Sequence, residues 1–579
     1  VTANGGPLGR DLELQGTQVA ITLGGNLTGT DNTKCISVSS EKILFNTANN
    51  VRTNIGFSIS KTEFNHQDGG TIEINGCEGT AFSANDSTVS LHDFVVANAK
   101  YGLSGNNTVW VVRDSNFSNN EYAADLEGGS LELKNVGISN NSVSGLDLWN
   151  TALTGEALSF TRNIAARRGG AISKYFAELR LNSVDFISNV AYTSCYYAGA
   201  YDKTTAWTTA MAGGGAIYEC SGDVSISSAN FSGNSAVVVA AAVTFYYSAS
   251  VAWVTAMAGG GAIYRDGGDM SMSSATFTGN SAIASVIASS SVRISHSVAT
   301  AMGGAIYAPL MRNMTMTDTA FTENSAIVSA NSFVSANAMG GAIYQGMGDM
   351  DITGARFSRN FVVASNNNPY HLSACFATAM GGAIYAQSSI VNLTDATFMG
   401  NSAIAVANVY AFDRAMGGAI YAQSSIVNLT DVTFTGNLAT ATAITTARAT
   451  ASAMGGAIYL NDGKLNYYVS EGKSLINTGN SAELGGFLYL ANNSQATFDI
   501  SGELTIGDTT GVDSIAGDSD CSISKNGAGV WTINSDVSQF AGNWNIAAGV
   551  LKLERIARSI ILDNWTIGVG AELHLSALN

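Results

Sequence analysis

The segment 379–395, AMGGAIYAQSSIVNLTD, returns unchanged at 415–431, and looser copies run through most of the 579 residues. Two motifs carry the repetition. GGAI starts at Gly169, Gly214, Gly260, Gly303, Gly340, Gly381, Gly417 and Gly455, with a looser GGFL at Gly485. F-x-x-N starts at Phe160, Phe186, Phe231, Phe277, Phe321, Phe357, Phe398 and Phe434. From the first glycine to the following F-x-x-N phenylalanine is 17 residues in six full repeats and 18 in the one at Gly303. Fixed-period self-similarity of this kind is the mark of a solenoid, in which each repeat buries its apolar face against its neighbours.

Apolar residues inside the fixed interval alternate in pairs: Val391 and Leu393, then Ala396 and Phe398, with Val224 and Ile226, Ala229 and Phe231 at the same offsets in another copy. A period of two is strand spacing, and Ser, Thr, Asp, Asn or Gly separates each pair from the next. One repeat therefore holds three short strands joined by tight bends. Strands this short are stable only when stacked on their counterparts, which predicts an all-β, parallel β-helix. Its right hand follows from the rule for parallel crossovers. The Gly-Gly pair is expected to turn a corner at positive φ. Phe186, Phe231, Phe277, Phe321, Phe357, Phe398 and Phe434 are expected to form one inward column. Asn189, Asn234, Asn280, Asn324, Asn360, Asn401 and Asn437 are expected at a left-handed bend, bonded as a ladder.

A bare coil takes about 22 residues. Phe94, Phe117, Ile138 and Phe160 are spaced that way, and read as one column. Later repeats are longer in one place, between the Asn of F-x-x-N and the next Gly-Gly. Seven consecutive coils carry an excursion there: 190–213, 235–259, 281–302, 325–339, 361–380, 402–416 and 438–454. The excursions are poor in charge and rich in Ala, Val, Ser, Thr and aromatics, so they read as strands that leave and return as hairpin arms. Stacked at about 4.8 Å per coil they would make a lateral wall about 34 Å tall. Tyr196, Tyr197, Trp207, Phe245, Tyr246, Tyr247 and Trp253 are the expected contact residues on it. Met211, Met257, Met302, Met339, Met380, Met416 and Met454 stand just before Gly-Gly wherever an excursion returns, and read as thioether plugs under each arm.

Composition narrows the function. A net charge of −17 repels phosphate backbones and argues against nucleic acid. The uncharged stretch 236–258 could pass for a membrane span, but equivalent stretches carry Arg293, His296, Asp413 and Arg414. The six cysteines show no metal-ligand spacing, and Cys195 and Cys220 are read either as a pair or as free thiols. No cofactor or metal ligand set is expected. A β-helix enzyme acting on polysaccharide, a lyase or a glycosidase, is the alternative function class. It needs carboxylates converging on a groove. The densest mixed cluster, RDGGD at 265–269, has no counterpart in adjacent coils, and the histidines are isolated.

GGA(I/L/V) paired with F-x-x-N resembles the repeats of the chlamydial polymorphic membrane proteins and of similar bacterial autotransporters, over about 160–489. GAGVWTINSDVSQFAGNWNIAAGVLKL at 527–553 is similar to the passenger-associated repeat of autotransporters. The resemblance implies a secreted adhesin or fibre subunit on the bacterial surface. Export would go through an outer-membrane β-barrel not present in this chain. The implied partners are a host or neighbouring-cell receptor, a glycan, or other copies of the chain. The expected domains are 1–165, coils without excursions; 166–460, coils with seven stacked excursions; and 461–579, coils with the autotransporter-type repeat.

Overall fold

The computed structural model describes all residues except 1, 4–5, 9–11, 24–26, 30–34, 48–50, 67–69, 200–205, 245–251, 291–294, 331–333, 368–374, 408–410, 444–449, 509–511, 557–563 and 578–579. Every helix or strand assigned among the described residues is a strand, and each strand pairs in parallel with its counterpart one coil away. The fold is a right-handed parallel β-helix. It comprises two compact units: Val1–Tyr192 with Gly213–Ser235 and Ala262–Ser271, and Thr193–Ala212 with Ala236–Gly261 and Met272–Asn579.

In the first unit, register runs Phe117, Ile138, Phe160, Phe186, Phe231 from coil to coil. The residue below Phe117 in this column is Val96, not Phe94 as the spacing suggested. Phe94 and Val96 both face inward, two residues apart, so spacing alone cannot decide between them. Phe160 and Phe186 stack at 5.0 Å, and Phe186 and Phe231 at 4.7 Å. The interior of the first unit also holds three charges in one column. Lys174, Glu219 and Arg265 are in register and each is fully buried. Arg265 of the RDGGD cluster thus points into the barrel, where its Nη1 lies 2.5 Å from Glu219 Oε2.

In the second unit, the coil at Gly381 has strands Ile384–Gln387, Ser389–Thr394 and Thr397–Met399, and the coil above repeats them residue for residue. Phe277, Phe321, Phe357, Phe398 and Phe434 stack face to face at 4.6–5.0 Å with interplanar angles of 3–12°. The stacking adds ring–ring attraction to full burial. At the corner, the first glycine of the pair has positive φ, as in Gly381 at 66°. The second is needed for a different reason: a Cβ on Gly382 would sit 2.0 Å from the Gly418 carbonyl oxygen of the next coil.

The asparagines are not themselves at the left-handed bend. The positive φ belongs to the residue before each: Ser188, Gly233, Gly279, Glu323, Arg359, Gly400 and Gly436. That bend turns the next side chain inward, and Asn189, Asn234, Asn280, Asn324, Asn360, Asn401 and Asn437 are fully buried. Asn360 shows how the amide is satisfied. Its Nδ2 donates to Asn401 Oδ1 at 3.0 Å and to the Phe321 carbonyl at 2.9 Å. Its Oδ1 accepts the backbone N–H and the Nδ2 of Asn324. All four hydrogen-bonding positions of the buried amide are filled, which removes the cost of burying it.

Candidate interaction surface

Among the described residues, the two halves of an excursion are not paired with each other in one sheet. The outbound and return halves belong to two separate sheets, each built by stacking along the coils. The outbound strands include Ser281–Ser290, Ser325–Ala330, Phe361–Asn366, Ser402–Ala407 and Leu438–Ala443. The return strands include Ser295–Met302, Val334–Met339, Cys375–Met380, Ala411–Met416 and Thr450–Met454. Every strand bonds to its copy one coil away, so the backbone is already paired without a bond between the halves.

Small residues let the two sheets face one another. Ala282, Ala284, Ala326, Ala364, Ala403 and Ala405 are buried on the outbound inner face, opposite Ala299, Ala301, Ala336, Ala338, Ala377, Ala379 and Ala415 on the return. One carboxylate interrupts this lining. Asp413 is 1% exposed, and its Oδ2 accepts the Ala407 N–H across the arm at 3.1 Å. Burial pushes its pKa up to about 6, against the pull of backbone hydrogen bonds.

Alternation then sends the other residues outward. Ile283, Ile327, Val363 and Ile404 form a partly exposed apolar row in exact register on the outbound sheet. On the return sheet, Phe376 and Phe412 stack at 5.6 Å and are each 44% exposed. Beside them Arg414 is exposed. The Ile/Val row and the two phenylalanines were not singled out in the sequence, although their one-residue offset from the inward positions marks them.

Of the aromatics read as contact residues, Tyr196 lies in strand Val190–Gly199 and is 70% exposed. The backbones of Tyr197, Trp207 and Trp253 lie in strands, and their side chains fall outside the described part. Phe245, Tyr246 and Tyr247 lie outside the described residues. Cys195 and Cys220 are free thiols.

Where the return sheet meets the coils of the second unit, Met339, Met380, Met416 and Met454 pack against a stack of tyrosines from the GGAIY strands. Tyr344, Tyr385, Tyr421, Tyr459 and Tyr489 follow one another at 4.8–5.4 Å. The thioethers thus pack along the tyrosine stack at the root of the arms. In the first unit, which includes the excursion-free approach to Gly169, Arg168 stands in the methionine position. Its guanidinium lies 4.8 Å over the Tyr218 ring and donates to the Tyr175 hydroxyl at 2.8 Å.

Among the described residues no group of three His, Cys, Asp or Glu is placed to hold a metal ion, and no helix is long and apolar enough to cross a membrane. The family model described as the Chlamydia polymorphic membrane protein repeat matches residues 274–309, which span Phe277, Asn280 and the Gly303 corner. No curated protein and no solved structure matches the chain. The match covers one repeat, and the coils around it carry copies of the same GGAI and F-x-x-N pattern, so the chain holds repeats similar to those of the Chlamydia polymorphic membrane proteins.

Proposed function

We propose that the chain is displayed on the outside of a bacterial cell and acts in adhesion and self-assembly, with the stacked arms as its contact element. The observation that carries this reading is the outward apolar pattern of the arms. An Ile/Val row on one sheet and a Phe pair on the other are held in register by backbone pairing and left in contact with water. A coil needs no arm to close, as the short turn from Asn480 to Gly485 shows. Loop closure accounts for tolerance of an insertion, not for seven in succession, four of which carry an outward Ile or Val in register. Exposed apolar patches of this sort mark interaction sites. The partners that fit are a receptor or glycan on a host or neighbouring cell and other copies of the chain. The passenger-type repeat supports export through an outer-membrane barrel.

The test is a variant carrying Ile283→Ser, Ile404→Ser, Phe376→Ser and Phe412→Ser. These residues face outward, so circular dichroism should be unchanged. Binding of the displayed protein to target cells should be lost. A variant that still binds at parental level would move the contact element off the arm faces.

A further inference from the structure

The arms end abruptly at both ends of their stack, and the ends are open strand edges. At the upper end, Leu438–Ala443 and Thr450–Met454 are the last strands of their sheets. The coil above touches them only at their roots. The Ala439 N–H donates to the Ser481 carbonyl, and the Leu484 N–H to that of Ala453. Farther out, Thr440–Ala443 and Thr450–Ser452 have no strand above them among the described residues. The burial pattern agrees. Ala405 is fully buried, whereas Ala441, directly above it in register, is partly exposed. Because alternate residues of a strand point their backbone groups to the same side, Ala441, Ala443 and Ala451 share the upward side of Ala439 and Ala453.

At the lower end, the outbound strand Val190–Gly199 is met from below at Val190 and Ala191, by Ile164–Ala165. The return sheet begins with Ala206–Gly213, which is bridged from below at Gly213. Proteins ordinarily guard such edges with charges, proline or a covering segment. Strand sequences LATATA, TASAM, VAYTSCYYAG and AWTTAMAG contain neither charge nor proline. No like charge opposes their meeting, despite the net charge of −17.

We infer that the upper arm edge of one molecule pairs with the lower arm edge of a second copy, by parallel strand addition that continues both sheets. The inference rests on the arms being the contact element. The chain itself makes parallel strand addition of this kind repeatedly, outbound on outbound and return on return, between each arm and the next. Direction also permits it. Outbound and return strands run oppositely, so half a turn about the stacking direction lays the second copy's outbound strands over the first copy's return sheet, and the reverse, with polarity matched. The same half-turn roots the second copy's arms on the side opposite to the roots of the first copy's. Upper and lower edges differ, so the contact is head-to-tail and does not close on itself. Growth is therefore linear.

Ala441→Pro with Ala451→Pro is the test. Each proline removes an N–H that points to the open side, and proline is tolerated on edge strands. Thermal unfolding and circular dichroism should match the parent. The purified parent should form linear oligomers that lengthen with concentration, read by sedimentation velocity and electron microscopy, and the proline variant should lose them. Parent that stays monomeric at all concentrations, or a proline variant that polymerises undiminished, overturns the inference. Should the prolines unfold the arm, Thr440→Lys with Thr442→Lys places charge at the same edge without altering backbone bonding, and the same loss is expected. The four-serine variant of the arm faces separates the two readings. It should lose cell binding while keeping linear assembly, and the proline variant should keep cell binding as a monomer.

Discussion

Asn480 donates its Nδ2 hydrogen to Asp513 Oδ1 at 2.8 Å, and the asparagine ladder ends on that carboxylate. Below Asn480 the ladder continues through Asn437, Asn401 and Asn360, amide to amide. Asp513 takes the place of the next asparagine and also accepts the backbone N–H groups of Gly479 and Asn480, both at 2.8 Å. It is fully buried, and burial raises its pKa while these donors lower it.

Asp513→Ala should leave the Asn480 amide and these N–H groups without an acceptor, at a cost of about 1–3 kcal/mol. Asp513→Asn retains an acceptor oxygen and should cost less. Urea unfolding measures the difference. Exchange at the Gly479 and Asn480 amides should rise in the alanine variant. Equal stability of alanine and asparagine variants would show that the cap contributes nothing.

Phe357→Ala removes a ring stacked on Phe321 at 4.9 Å and on Phe398 at 4.6 Å, in a column with no exposure. The cavity should cost about 3–5 kcal/mol. Coils contact chiefly their neighbours, so damage should stay near 320–400. Hydrogen exchange resolved by peptide reads this directly, and uniform loss of protection through the second unit would contradict it.

The Glu219–Arg265 pair is a different kind of buried contact. Burial pushes the Glu219 carboxyl up to about 7 and lowers Arg265, while each charge favours the other. Glu219 Oε1 and Arg265 Nε have no hydrogen-bond partner. Arg265→Met alone leaves the buried Glu219 carboxyl only Lys174 as a counter-charge and should cost about 3–5 kcal/mol, whereas Glu219→Met with Arg265→Met should cost less. Denaturant midpoints for single and double variants decide it. A double variant as unstable as the single one would mean that the pair holds the register of its coils.

Much of this was legible in the sequence because a solenoid writes its geometry as repetition. The constant interval from Gly381 to Phe398 and from Gly417 to Phe434 gives strand register directly, since equal intervals must superimpose when coils stack. What repetition cannot show is which way a polar side chain turns. Asn360 has the composition of an exposed turn, yet the left-handed Arg359 before it swings it inside. Arg265 occupies an inward position of its strand, and only a partner 46 residues earlier makes that tolerable. The arms were legible as strands but not as two sheets. Hairpin and stacked-sheet arrangements use the same alternating sequence and differ only in where the backbone bonds, which side chains do not record.

Asp413 should make arm stability depend on pH. It lies on the inner face among alanines, with Ala377 below and Ala451 above in register. Its pKa in the fold, about 6, exceeds the ordinary value of 3.8. The folded arm therefore holds a proton that the unfolded chain has released between those two values. The stabilisation from this group should be full below about pH 3.8, fall as pH rises to 6, and change little above that, by on the order of 3 kcal/mol in all. Asp147, also raised to about 6, and Glu219 add slopes of the same sign elsewhere. The informative quantity is thus the difference from Asp413→Asn, which keeps an acceptor for the Ala407 N–H and cannot titrate. Exchange at the amides of 403–407 and 411–415 should slow from pH 7 to pH 4 in the parent, after correction for intrinsic rates. The asparagine variant should be flat and better protected at pH 7. Parallel pH curves for the two proteins would mean that water reaches the carboxylate and that the arm is not sealed there.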